Sequence, residues 1–183
     1  MIFNAHSNLE GKHALLGASS YHWINYSEEK LIEFYKNKMA VERGIKLHSI
    51  AKDLIENKIK LPRSNKTFNS YVNDAIGFDM TPETILYYSE YCFGTTDSIA
   101  FKKDFLRIHD LKTGATPASM NQLLIYAALF CLEYGIKPGD IHTELRIYQN
   151  DQILVHEPET DEILPIMDKI ISFDKCIRRI KEE

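Results

Sequence analysis

Three cysteines in 183 residues, Cys92, Cys131 and Cys176, are too few and too scattered to make a disulfide framework. No C-x-x-C spacing offers a zinc or iron–sulfur site, so they read as reduced, mostly core residues. No apolar run is long enough to span a bilayer, so no membrane contact is expected of these residues. The opening MIFNAHSNLEGKH lacks the basic-then-apolar order of a secretory signal, and a cytoplasmic location is the expectation. No G-x-x-x-x-G-K-[ST] is present, so a nucleotide-driven motor would have to be another chain. Internal repeats, low-complexity segments and linkers are missing too, and residues 1–183 read as a single domain. Dense blocks of Lys and Arg are also lacking: the net charge is -4. That balance does not advertise a nucleic-acid binder, because counterion release rewards clustered cations. A local basic surface can still coexist with an acidic whole. The two modest clusters, Lys58, Lys60, Arg63 and Lys66 around a Pro-containing loop and Lys102 with Lys103 in a turn, read first as solvated faces.

What the chain does contain is a strong alternation of element types. Ser27 followed by Glu28 and Glu29 has the form of an N-cap with first-turn acids, and predicts a helix from about Glu28 to Met39. A second helix is expected from about Val41 to Asn57, where Leu47, Ala51, Leu54 and Ile55 form a core-facing stripe. His48 sits at its edge and, taken alone, reads as a half-buried helix histidine. A short helix follows over Phe68 to Ile76, stopped by Gly77. ETILYYSE then reads as a strand, followed by the two strands of FGTTDSIAFKKDFLRIHDLK with a turn at Lys102 to Phe105. These three strands make an antiparallel meander. An apolar crossover helix from about Ser119 to Tyr134, a hairpin turning at Gln149-Asn150-Asp151, and a final amphipathic helix from about Asp161 to Lys181 complete the chain. Pro165 bears on where that last helix starts. The expected class is α/β, with a central mixed sheet flanked by helices.

Asp97 and Asp110 fall on successive strands of the meander, and the two-residue period puts Asp110 and Lys112 on one face. Carboxylates held together in an apolar strand repel one another unless a cation offsets them. Gln122 and Tyr126 stand at i and i+4 on the crossover helix, so they are stacked neighbours; a helix margin with an amphipathic Tyr explains them equally well. The helix bearing His48, the two carboxylate strands and the helix bearing Gln122 and Tyr126 can all meet at one edge of the sheet. Two carboxylates, one imidazole and waters suit Mg²⁺ or Mn²⁺, and the imidazole tilts the choice toward Mn²⁺. With a lysine beside it, such a site suits phosphodiester hydrolysis best.

The residues also resemble a known family. LGASSYHW, RGIKLH ending at His48, FGTTD ending at Asp97, HDLKTG from His109 to Gly114 and QLLIY from Gln122 to Tyr126 are similar to the ordered motifs of the PD-(D/E)XK nuclease superfamily. Within it they resemble the RecB-type nuclease domains. The likeness covers most of the chain and implies a restriction-endonuclease-like core. It implies a metal set of His48, Asp97, Asp110 and the backbone carbonyl of Leu111. The catalytic set it implies is Asp97, Asp110, Lys112, Gln122 and Tyr126, with Lys112 as the catalytic lysine. Gln122 and Tyr126 would line the site and hold that lysine, a water or a substrate phosphate. Glu83 and Glu90 would stand behind the ligands, although a solvent-facing strand end is the preferred reading of both.

Two departures matter. Thr96 replaces the proline of the superfamily's name, as in many RecB-type members, and the four cysteines of the iron–sulfur branch are missing. The resemblance therefore implies a stand-alone, phage-exonuclease-like enzyme in the host cytoplasm. It would be a metal-dependent deoxyribonuclease acting on single-stranded DNA or duplex ends in recombination, replication or repair, with a homo-oligomer or a recombination protein as partner. The alternative is a nuclease-fold binding or regulatory module with little or no turnover.

Overall fold

A computed structural model describes residues 4–182. Backbone contacts divide the chain into two compact units, one ending at Arg43 and one starting at Gly44. In the first unit, 3₁₀ segments at Ser7–Leu9 and Ala18–Asn25 precede the start of helix α1, Glu28–Glu56. The Trp23 indole donates to the Gly17 carbonyl at 2.9 Å, and the Lys30 N–H donates to Ser27 Oγ at 3.3 Å, the cap its sequence predicts. α1 is one helix of 29 residues, which corrects the expectation of two. Met39, Ala40 and Val41 include neither Pro nor Gly, and Ala40 is the best helix former of all, so a change in apolar stripe does not break the backbone.

The second unit carries α2 (Thr67–Gly77), β1 (Thr81–Ser89), β2 (Cys92–Lys102), β3 (Phe105–Leu111), α3 (Asn121–Tyr134), β4 (His142–Gln149), β5 (Gln152–His156) and α4 (Thr160–Glu182). The five strands lie in sequence order in one sheet. β1, β2 and β3 form the expected antiparallel meander, α3 crosses over so that β4 runs parallel to β3, and β5 returns antiparallel. The turns are short for a physical reason. Lys103 and Asp104 at φ 49° and 61°, and Asn150 and Asp151 at φ 52° and 58°, give two-residue turns whose twist matches the strands. α3 ends at Gly135, whose φ of 65° and N–H bond to the Cys131 carbonyl close the helix. α4 starts at Thr160 and carries Pro165 inside it, at the cost of one backbone rung.

Two apolar layers sandwich the sheet. Leu106, Ile108, Leu145 and Ile147 pack on Leu123, Ala127 and Phe130 of α3 and on Ile163 of α4. Leu111 and Tyr148 pack with Ala51 and Ile55 of α1 and with Tyr71, Val72 and Ala75 of α2. The cysteines correct the mostly-core expectation, since only Cys131 is buried; Cys92 is half-buried and Cys176 faces solvent on the outer side of α4. Among the described residues no helix is long and apolar enough to cross a membrane.

One polar cluster escaped the sequence reading. Glu144 accepts from Arg107 Nε at 3.1 Å, directly across the parallel β3–β4 ladder, and from Arg146 Nε and Nη2, two residues along its own strand, at 3.0 and 3.1 Å. Both guanidiniums cover the Phe78 ring, 4.3 and 5.0 Å from its centroid. His109 lies against the same ring, wholly buried. Burial first, and then the Arg146 and Arg107 charges, hold its pKa down to about 3, so its imidazole is neutral in the folded protein.

Candidate active site

Two glycines let the elements approach. A Cβ on Gly44 of α1 would stand 2.8 Å from Thr113 Oγ1, just past the end of β3. A Cβ on Gly94 of β2 would stand 2.8 Å from Cε1 of Tyr126 on α3. Both belong to the motifs that end at His48 and Asp97, so the glycines of those motifs act by close packing. The two sites differ in compliance. The Thr113 hydroxyl can rotate away, and Ala gains helix propensity at position 44. The Tyr126 ring is wedged in the core. Gly94→Ala is therefore expected to cost about 1–3 kcal/mol by overpacking. Thermal melts should show a clear fall in Tm for Gly94→Ala and a smaller one, or none, for Gly44→Ala.

With those approaches made, the candidate residues gather in two linked groups. In the first, His48 Nδ1 lies 3.2 Å from Asp97 Oδ1, and Asp97 Oδ2 accepts the Leu111 N–H at 2.7 Å. The β2–β3 ladder ends at the Ser98–His109 pair, which frees the Leu111 N–H for the carboxylate. Leu111 thus meets the site through its N–H, a contact the motif likeness did not anticipate. In the second group, Lys112 Nζ donates to Asp110 Oδ1 at 3.1 Å and to Gln122 Oε1 at 2.8 Å. Gln122 Nε2 donates to Tyr126 Oη at 3.0 Å, and Tyr126 Oη donates to the Thr95 carbonyl at 2.7 Å. The Lys112 N–H donates to the Tyr148 carbonyl at 2.9 Å and pins the end of β3. Thr95 and Tyr148 act through their backbones, so no side-chain signal could have marked them.

The electrostatics tie the groups together. Asp110 is 3% exposed. Burial, and then the neighbouring charge of Asp97, push its pKa up, while Lys112 opposes the rise. The hydrogen bond to Asp97 pushes the His48 pKa up, against the effect of burial. Asp110 Oδ2 stands 3.1 Å from Lys112 Nζ, yet it accepts no hydrogen bond. A buried carboxylate oxygen that makes no hydrogen bond and is balanced by the Lys112 ammonium beside it, next to a second carboxylate, is where a divalent cation lowers the energy.

Among the described residues, no three His, Cys, Asp or Glu side chains form a ready-made metal-holding group. His48 is turned to Asp97, and Asp110 is engaged by Lys112. The donor chemistry of His48, Asp97 and Asp110 suits Mg²⁺ or Mn²⁺, and the buried Asp110 Oδ2, ion-paired with Lys112 but without a hydrogen bond, is the observation in its favour.

The two outlying carboxylates separate. Glu83 falls opposite Asp97 in the β1–β2 register and has φ 46°; its Oε2 lies 2.7 Å from Nζ of Lys52, four residues along α1 from His48. Glu90 sits in the β1–β2 turn, solvent-facing, 3.6 Å from Lys181. No family model, curated protein or solved structure matches this chain.

Proposed function

We propose that this protein is a Mg²⁺- or Mn²⁺-dependent DNA nuclease of restriction-endonuclease-like fold, most plainly an exonuclease working on DNA ends in recombination, replication or repair. The observation that carries the reading is the continuous chain of contacts from Asp110 through Lys112 and Gln122 to Tyr126, set beside the His48–Asp97 pair. An ordinary charged hairpin has no need for a buried carboxylate held next to a second carboxylate with a lysine to balance it.

His48, Asp97, Asp110 and the Leu111 carbonyl would hold the ion. A bound divalent ion supplies Lewis-acid polarisation of a phosphoryl oxygen and lowers the pKa of water. The protein's own groups do the rest. Lys112 presents its ammonium to the charge that develops on the phosphate, and Gln122 fixes the direction of that ammonium by accepting a hydrogen bond from it. Tyr126 positions Gln122 by bridging it to the β2 backbone. Fixed donors need no reorganisation during reaction, which is the source of their effect.

The test is digestion of end-labelled linear DNA beside a covalently closed circle, with Mn²⁺, with Mg²⁺ and with a chelator. The linear substrate should be lost in the presence of either ion and spared with chelator, and the circle should survive. Equal inertness toward both DNAs and toward RNA would remove the enzyme reading. A nuclease-fold binding module is the second reading, favoured by the inward turn of His48 and the engagement of Asp110 by Lys112. Calorimetry with Mn²⁺ separates them, since a module without turnover predicts no heat of metal binding.

A further inference from the structure

The two edges of the sheet are finished differently. On β1, Pro82 has no N–H to offer, Glu83 leaves regular strand geometry at φ 46°, and the Tyr87 N–H donates to Glu133 Oε2 at 2.8 Å. These are devices that keep an edge from pairing with another chain. β5 has none of them. Its sequence QILVH contains no Lys, Pro or acidic residue, and Ile153, Leu154 and Val155 stand 42%, 55% and 47% exposed.

The hairpin register decides which groups of β5 face outward. Asn150 and Asp151 form a two-residue turn closed by Gln149 and Gln152, so Gln149–Gln152, Ile147–Leu154 and Leu145–His156 are the mutually hydrogen-bonded pairs. Ile153 and Val155 therefore aim their N–H and C=O away from β4. Among the described residues, no backbone bond from outside the ladder reaches them.

We propose that β5 pairs antiparallel with β5 of a second copy of this chain, about a two-fold axis at Leu154, joining the two sheets into one. Centring on Leu154 sets Ile153 against the partner's Val155 and Val155 against the partner's Ile153. Every outward N–H and C=O of the two residues then finds a mate, and no charged side chain within β5 opposes its like.

Charge at the strand ends specifies a copy of the chain as the occupant. Lys60 and Arg63 line a cleft of about 520 Å³ together with Asp74 and Ile153. Lys66 beside it is held 2.6 Å from Asp151 in the turn before β5, so Lys60 and Arg63 are the cations left to meet a partner. The residues after β5 are acidic: Glu157, Glu159, Asp161 and Glu162. Antiparallel pairing brings the end of one β5 beside the start of the other, so each acidic stretch passes the other copy's basic loop. The two-fold axis makes that contact twice. The ladder is short and the interface falls at the small end of the range, so the dimer is expected to be micromolar and salt-sensitive.

Sedimentation velocity of the full chain over a micromolar concentration series tests this. Wild type should shift from monomer to dimer, and less so at high salt. Val155→Pro removes an outward N–H that no rung of the β4–β5 ladder uses, so it should remain folded by circular dichroism and sediment as a monomer. A second pair of variants keeps the test decisive if that proline disturbs the strand. Leu154 would face its own copy in a non-hydrogen-bonded pair, with Cα atoms about 4.5 Å apart, within disulfide reach. Leu154→Cys in a Cys176→Ser background should form a disulfide-linked dimer on mild oxidation, and Gln152→Cys in that background should not. A wild type that stays monomeric throughout, a folded Val155→Pro that dimerises undiminished, or equal cross-linking at 152 and 154 would overturn the proposal. A foreign strand on β5 would show as the monomeric outcome.

Discussion

Lys112→Ala is expected, on the nuclease function proposed above, to reduce metal-dependent DNA hydrolysis by roughly 10²- to 10⁴-fold while the protein stays folded. The size follows from what the ammonium touches. Its Nζ is the hydrogen-bond donor to Asp110 and is itself fixed by Gln122 at 2.8 Å, so its removal deletes a pre-aimed positive charge. It also deletes the cation that opposes the rise in the Asp110 pKa, and Asp110 then takes up a proton more readily. That proton neutralises the buried carboxylate, which is why the melting temperature should fall only slightly. Lys112→Arg should not restore activity, because a planar guanidinium cannot replace a compact ammonium held between two oxygens. Gln122→Ala leaves the charge but frees its direction, and a smaller loss is expected. Initial rates on end-labelled linear DNA, with melting curves for each variant, check the order. If Lys112→Ala retained wild-type rates, Lys112 would be a structural partner of Asp110 alone.

The second large effect lies away from the candidate site. Glu144→Ala should destabilise the protein by about 3–5 kcal/mol, because it leaves two part-buried guanidiniums without their shared carboxylate. Arg107 and Arg146 would then stand as unbalanced like charges beside Phe78. Arg146 keeps its longer ion pair of 3.4 Å to Asp74. Glu144→Gln retains an acceptor oxygen and should cost less. Urea unfolding at neutral pH measures the difference between the two variants as a shift in midpoint at constant slope. Equal costs would mean that the negative charge, which both variants remove, and not packing or the acceptor oxygen, sets the role of Glu144.

Much of the architecture was legible because its signals are local. The Ser27 cap, the Gly135 stop, the strand periods and the places of the turns are each written within a few adjacent residues, and the five strands and their meander follow from them. The second turn, expected at Gln149-Asn150-Asp151, narrows to Asn150-Asp151. The helix boundary expected near Ala40 failed because a shift in apolar periodicity marks a change in what a helix packs against. It does not mark a break in the helix. The candidate residues were also readable as residue types: His48 does meet Asp97, and Lys112 does meet Asp110 and Gln122.

Tertiary structure alone decided how they meet. Nothing local to Leu111 announces that its N–H serves Asp97, since that depends on where the β2–β3 ladder ends. Nothing local to Gly94 announces the Tyr126 ring, which arrives from α3, thirty-odd residues on. The Arg107–Glu144–Arg146 cluster and the contrast between a guarded β1 and a bare β5 likewise depend on strand order. By itself, then, the sequence determined the elements, their caps and turns, and the chemical kinds of side chain on offer. Register, burial and the order of strands determined which of those side chains are partners. Contacts between distant segments are chosen by the packing of the whole sheet, and short-range patterns carry no record of that choice.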